Sequence, residues 1–198
     1  MALRDTHITK ARFAFVDTET TGMSPLRGDK LCEVAVVVSQ GGDTVEEFSS
    51  IINPLKIIPQ EVINIHGITN EMARTSPTFA QIAPRLAVAL TDSVLVCHNA
   101  DFDVPFLAAE FATCGLSLPR TVVLDTLKFA RKNGTFKKNR LGAIVEELGF
   151  SNEGWHRALA DAKMTEKVFY HFLEKFIKAG AQTVGDLEEF QIRKICAQ

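Results

Sequence analysis

The sequence predicts an α/β layered fold built on one mixed sheet. Three observations carry that reading. Three strand-like runs follow one another near the N-terminus, the second and third joined by hairpin turn residues. Further along, strand-like runs alternate with segments of helical period. No composition shift marks a linker within the 198 residues, a length that suits one domain.

In order, residues 1–11 read as a frayed start. The apolar run from Phe13 to Val16 places the first strand at about 12–19. Gly22 to Asp29 holds Gly, Ser, Pro and Asp and reads as a loop. Leu31 to Ser39 is rich in Val and forms a second strand, and Gly41-Gly42-Asp43 is a hairpin turn. Val45 to Ile52 returns antiparallel and stops at Asn53-Pro54. Pro59 to Ile65 is a short helix with Pro in its first turn. His66-Gly67-Ile68-Thr69 ends it, and Thr69 with Met72 begins another short turn. Between Pro77 and Leu90, apolar residues at Phe79, Ile82, Ala83, Leu86 and Leu90 have helical spacing. Ser93 to Cys97 is a buried strand and Phe102 to Cys114 a helix. Val122 to Leu124 is a short strand, and Asp125 to Arg131 starts a helix. Leu141 to Leu148 is a helix closed by Gly149. Ser151 to Trp155 is a loop, and Arg157 to Lys178 is the longest helix.

Composition excludes several classes. Hydrophobic residues make up 46%, charged residues 23%, and the net charge is −2. This is not the balance of a strongly basic nucleic-acid coat, so any nucleic-acid footprint is local. Cys32, Cys97, Cys114 and Cys196 form no C-x-x-C pair, so neither zinc spacing nor a disulfide framework is visible. Cys32 and Cys97 lie in or beside apolar runs and read as reduced core residues. Arg4, Asp5, Lys10 and Arg12 interrupt the start, against a signal peptide. Val34 to Val38, among the longest aliphatic runs, is too short to span a bilayer. A soluble, cytoplasmic protein with no membrane partner is expected.

The chemistry starts at Asp17 and Glu19. In a strand, residues i and i+2 share a face, so these two carboxylates point together at the end of an apolar strand. They are either strand-end polar residues meeting solvent or ligands for a hard divalent cation. Asp103 follows a strand and opens a helix, where an acid suits the helix dipole. Phe106, Leu107 and Cys114 share its face, but so does Glu110. Asp161 shares a stripe of the long helix with Ala158, Thr165, Val168 and Phe172. A carboxylate on an apolar face needs a metal, a cation or a proton. Arg157, one turn earlier, is one candidate cation. His156 stands where that helix begins, and an ordinary imidazole titrates at about 6.5, which suits a general base. His98 ends a strand, as a core residue or a support for the site. Sequence-distant acids at strand ends and on one helix can converge. Two divalent ions about 4 Å apart would then relieve their repulsion and serve in-line displacement at phosphorus.

These residues resemble the motifs of the DEDDh exonuclease family, the group that includes the proofreading (epsilon) subunit of bacterial DNA polymerase III. Asp17-Thr-Glu19-Thr-Thr-Gly22 matches the first motif. His98-Asn-Ala-Asp-Phe102-Asp103, with Phe106 following, matches the second, and His156-Arg-Ala158-Leu-Ala-Asp161 the third. The His66-Gly-Ile-Thr69 turn is also typical. The resemblance covers about 11–176. It implies a domain over 1–178 with a short C-terminal tail, 179–198, and a ribonuclease H-like three-layer fold with a five-stranded mixed β-sheet flanked by helices. It implies 3′→5′ release of nucleoside 5′-monophosphates with two Mg²⁺ or Mn²⁺ ions. Asp17 would bridge both metals. Glu19 and Asp161 would hold the metal carrying the attacking water, and Asp103 the second, partly through water. His156 would deprotonate the nucleophile, and the second metal would stabilise the leaving 3′ oxygen. The backbone around Thr18 and Thr20, with Met23, His66, Asn99 and Phe102, would contact the terminal nucleotides.

The expected partner is a single-stranded nucleic-acid 3′ end, DNA ahead of RNA. An exoribonuclease trimming RNA 3′ ends and a non-catalytic metal-dependent binding module stay open. The run from Arg131 to Arg140 holds Arg131, Lys132, Lys137, Lys138 and Arg140 with no acid, and reads as a solvated loop or a track for the substrate backbone. Gln182 to Leu187 faintly resembles a sliding-clamp-binding peptide, although Gly185 falls where an apolar residue is wanted. A polymerase or sliding clamp is therefore a weakly supported partner.

Overall fold

A computed structural model describes residues 3–151 and 156–195. Trp155 and Cys196 lie outside the described residues, as does most of the expected loop at 151–155. The five strands are β1 (Arg12–Thr20), β2 (Leu31–Gln40), β3 (Asp43–Ile51), β4 (Ser93–Cys97) and β5 (Val123–Asp125). They form one sheet in the order β3-β2-β1-β4-β5. β1 and β2 pair antiparallel, as do β2 and β3, whereas β4 runs parallel to β1 and to β5. The sheet is therefore mixed, as expected.

The helices are α1 (Gln60–His66), α2 (Asn70–Arg74), α3 (Phe79–Leu90), α4 (Ala100–Thr113), α5 (Thr126–Asn133), α6 (Leu141–Glu147), α7 (Ala158–Lys178) and α8 (Val184–Glu189). Alternation along β1 divides the core. Phe13 and Phe15 face α5, α6 and α7, where Phe129, Ile144, Phe169 and Phe172 meet them. Ala14 and Val16 face α3 and α4, against Leu86, Phe106 and Phe111. Every residue of β2 from Leu31 to Ser39 is buried, because helices cover both faces of this strand. The outer strand β3 exposes most of its residues and carries Asp43, Glu46 and Glu47, which guard a sheet edge against pairing.

One expectation changes. Residues 3–11, within the expected frayed start, are not frayed. Short 3₁₀ turns span Leu3–Asp5 and Ile8–Lys10, and Ile8 and Ala11 are buried. The described residues of the expected short C-terminal tail pack against the rest of the domain. The Ile8 N–H donates to the Gln182 carbonyl at 2.9 Å and the Val184 N–H to the Thr6 carbonyl at 3.0 Å. Val184 and Leu187 are fully buried in the same core as α7. A clamp-binding peptide needs its apolar side chains free, and these two are occupied. Gln191 then completes the short edge strand: its side chain accepts from Asp125 N–H and donates to the Val123 carbonyl.

Candidate active site

The side of β1 that buries Phe13 and Phe15 continues to Asp17 and Glu19, where the apolar run ends. α7 crosses this strand end. Ala158 and Ala162 are fully buried, so small side chains let its first turn approach the sheet. Asp161, in that turn, is 6% exposed. Asp17, Glu19 and Asp161 bring carboxylate oxygens within 4.8 Å of one another. Asp103 arrives from α4, is buried, and accepts a 2.7 Å hydrogen bond from Thr18 Oγ1.

Burial without a cation drives all four acids toward their protonated forms. Glu19 is raised to about 8, first by desolvation and then by Asp161 and Glu33. Asp161 is raised to about 7 by desolvation, against the pull of a hydrogen bond from the His156 N–H. Asp103 is raised to about 7 by desolvation, opposed by the Thr18 hydroxyl. Asp17 is pushed well above the usual carboxylate range by burial, then by Asp103 and Asp161. Asp161 Oδ1 is buried and has no hydrogen-bond partner among the described residues. A cluster of hard oxygen donors, one of them orphaned, fits a divalent cation such as Mg²⁺ or Mn²⁺.

His156 adopts a left-handed backbone, φ 66°, and its N–H donates to Asp161 Oδ2 at 3.2 Å. It borders a cleft of about 660 Å³ that also exposes Asp17, Asp161, Asn99, Arg131 and Arg140. Two cations of the basic run thus share the cleft wall with Asp17 and Asp161. His98 organises this wall. Its Nε2 must donate to the Asn139 carbonyl at 2.9 Å, so Nδ1 accepts from the Thr126 hydroxyl at 2.8 Å. Burial lowers the pKa of this imidazole, in keeping with the neutral tautomer.

The expected substrate contacts divide. Met23 is 77% exposed beside the strand end. Phe102 is half-buried and packs on Phe106. Asn99 lines the cleft with a left-handed φ of 87°. Thr18 and Thr20 are buried, and their hydroxyls serve Asp103 and the Gly22 carbonyl. His66 is also buried. Its Nδ1 accepts from the Ile68 N–H, which leaves Nε2 protonated and 3.6 Å from Cys32 Sγ. The side chains of Thr18, Thr20 and His66 brace the strand end from within.

Sequence reasoning missed two buried acids. Glu33 sits opposite Glu19 in the β1–β2 register and is 3% exposed. Arg157, one candidate cation for Asp161, pairs instead with Glu33, at 2.7 Å. The signal was an acid inside an otherwise apolar run, which cannot be buried without a partner. Asp125 ends β5 and is 1% exposed. Its carboxylate accepts N–H groups of Asn99 and Ala100, at the start of α4, and of Leu127 and Lys128, in α5. It therefore fixes the helix that carries Asp103. Asp125→Ala would strand several buried donors, each costing about 1–3 kcal/mol. The melting temperature is expected to fall by about 5–10 °C. A fall under about 2 °C in a thermal melt would refute this role.

A family model described as "RNase_T: Exonuclease" matches residues 14–169. A 3′-5′ exonuclease DinG of Bacillus subtilis is 37% identical over 181 residues, 91% of this chain and 19% of that protein. A DNA polymerase III PolC-type protein of Thermotoga maritima is 34% identical over 188 residues, 94% of this chain and 14% of that protein. A DNA polymerase III subunit epsilon-like protein of Rhodobacter capsulatus is 34% identical over 188 residues, 93% of this chain and 27% of that protein. The chain thus spans less than a third of the length of these relatives. Among solved structures, an Escherichia coli Exonuclease I complex with single-stranded DNA aligns with TM-score 0.73 at 18% identity, over 84% of this chain and 43% of that one. Exonuclease X in complex with 5′ overhanging duplex DNA aligns with TM-score 0.70 at 22% identity, over 91% and 99%. These likenesses identify the ribonuclease H-like fold.

Proposed function

The chain belongs to the exonuclease family of that model, and from this premise we propose a metal-dependent 3′→5′ exonuclease. It would release nucleoside 5′-monophosphates from single-stranded DNA 3′ ends. One observation carries the reading: three carboxylates within 4.8 Å, one with an orphaned buried oxygen, beside a histidine on an open cleft. Asp17, Glu19, Asp161 and Asp103 would hold two Mg²⁺ or Mn²⁺ ions. When bound, the ions supply Lewis-acid activation of a water and charge neutralisation at the leaving oxygen.

The chain's own groups do the rest. His156 takes the proton of the attacking water. Arg131 and Arg140, on the cleft wall, hold backbone phosphates. Thr18 fixes Asp103 in its place. Exposed Met23 and half-buried Phe102 offer surfaces for the terminal base, contacts that tolerate any base. DNA is the favoured substrate because the names of two of the three relatives refer to DNA polymerases and the two aligned structures hold DNA. The names of two relatives also support a polymerase partner.

Two experiments test this. A 5′-labelled single-stranded DNA and its RNA counterpart are digested side by side with Mg²⁺, Mn²⁺ or EDTA. The expected result is a metal-dependent ladder shortening from the 3′ end, faster on DNA. Faster digestion of RNA would transfer the reading to RNA 3′-end trimming, and binding without digestion would leave a binding module. Second, Arg131→Gln with Arg140→Gln is expected to flatten the salt dependence of DNA binding by about 0.7 per lost phosphate contact. An unchanged slope in a fluorescence-anisotropy titration would remove these arginines from the substrate track.

A further inference from the structure

Glu33, a buried carboxylate beside the site, holds a formed salt bridge. Its Oε1 and Oε2 each lie 3.2 Å from Arg157 Nε, and Oε1 lies 2.7 Å from Nη2. Oε2 also accepts the Ala158 N–H at 3.0 Å. No side-chain cap comes from Arg157 at the start of α7. The first-turn donor of Ala158 is satisfied instead by an acid from β2. A carboxylate so engaged on both oxygens is committed to Arg157 and α7, not to a metal ion.

The consequence falls on His156, the residue just before the clamp. Its left-handed backbone costs about 1–2 kcal/mol for a residue with a Cβ. Such a conformation persists where its surroundings over-determine it. Three ties lie on and after it: the His156 N–H to Asp161, the Arg157 side chain to Glu33, and the Ala158 N–H to Glu33. Glu33 in turn stands opposite Glu19 in the sheet, so the clamp is anchored to β2, the strand paired with the one that carries Asp17 and Glu19.

We infer that the Glu33–Arg157 pair is a positioning device that holds the His156 imidazole over the carboxylate cluster. It acts through His156 and contacts neither the metal nor the scissile phosphate. This inference rests on the reading of His156 as the base.

The test is a double-mutant cycle with single-turnover kinetics on single-stranded DNA and saturating Mg²⁺. Arg157→Ala and Glu33→Gln are each measured alone and with His156→Ala. Arg157 is half exposed, so its truncation leaves the fold standing and carries the test even if the Glu33 variant is unstable. Each single variant is expected to lower kcat about tenfold with KM within about twofold, the pattern of a lost transition-state contribution. Arg157→Lys, which keeps one charge, is expected to recover part of that loss. In the His156→Ala background, neither variant is expected to lower the rate further. An equal loss in both backgrounds would overturn the inference, because the pair would then act through the acids or the fold. A raised KM with kcat unchanged would also overturn it, and would make Arg157 a substrate contact. If His156→Ala alone leaves kcat unchanged, the base assignment itself fails, and the clamp has nothing to act through.

Discussion

Asp17→Asn is expected to abolish hydrolysis while making the metal-free protein more stable. Asp17 lies at the centre of the acid cluster, where burial, Asp103, Asp161 and Glu19 all oppose its charge. An amide is nearly the same size and carries no charge, so it removes that repulsion. It also removes one of the anionic oxygen donors that would bind a cation. Charge stabilisation by a catalytic metal is worth several kcal/mol. At 1.36 kcal/mol per tenfold, a loss of about 10³-fold or more in kcat is expected. At pH 8 in EDTA, the melting temperature is expected to rise by about 3–8 °C, at roughly 2–4 °C per kcal/mol for a chain of this size. A variant that loses activity and also melts lower would mean that Asp17 is structural.

The second large effect is a stability that depends on pH in opposite senses with and without metal. Glu19 is raised from 4.5 to about 8, and Asp161 and Asp103 from 3.8 to about 7. A carboxyl whose folded pKa is raised binds its proton more tightly when folded. Its contribution to stability is present below the unfolded value and is lost as pH rises through the folded one. The metal-free protein is therefore expected to lose several kcal/mol of stability from about pH 4 to about pH 8. Cations reverse the trend, because they bind the deprotonated acids and release protons. Saturating Mg²⁺ is expected to raise the melting temperature little at pH 5.5 and most near pH 8. A metal-free melting curve that is flat or rising across that window would show that the acids are not buried together.

Much of this was legible because local pattern and burial agree. The i, i+2 spacing of Asp17 and Glu19 placed both on one side of β1, and they lie on the side that Phe13 and Phe15 define. Asp161 lies on the apolar stripe of α7, and the stripe is buried. Glu110, which clouded the reading of α4, is also buried, where it accepts the Leu31 N–H and faces Lys30. Glu33 was not legible as part of the site because the sheet register sets it opposite Glu19, and no local rule gives register across a loop. The partner of Arg157 was open for the same reason: the helix offers Asp161 one turn away, but β2 offers Glu33, with which Arg157 pairs. The burial of His66 depends on how the Gly67 turn packs over β2, which its neighbours do not encode. α8 was legible and was passed over. Thr183 and Asp186 form a capping box, the signature of a helix start, but the helix has only six residues and two buried side chains.

The central claim is that the cluster of Asp17, Glu19 and Asp161 is a cation site that drives strand cleavage. The most direct test is to titrate Mn²⁺ into the metal-free protein at pH 8, reading binding by paramagnetic resonance and cleavage of labelled single-stranded DNA in the same samples. The account predicts that cleavage follows the binding curve, and that Asp17→Asn loses both. Cleavage that persists in EDTA, or Mn²⁺ binding of equal strength in Asp17→Asn, would contradict it.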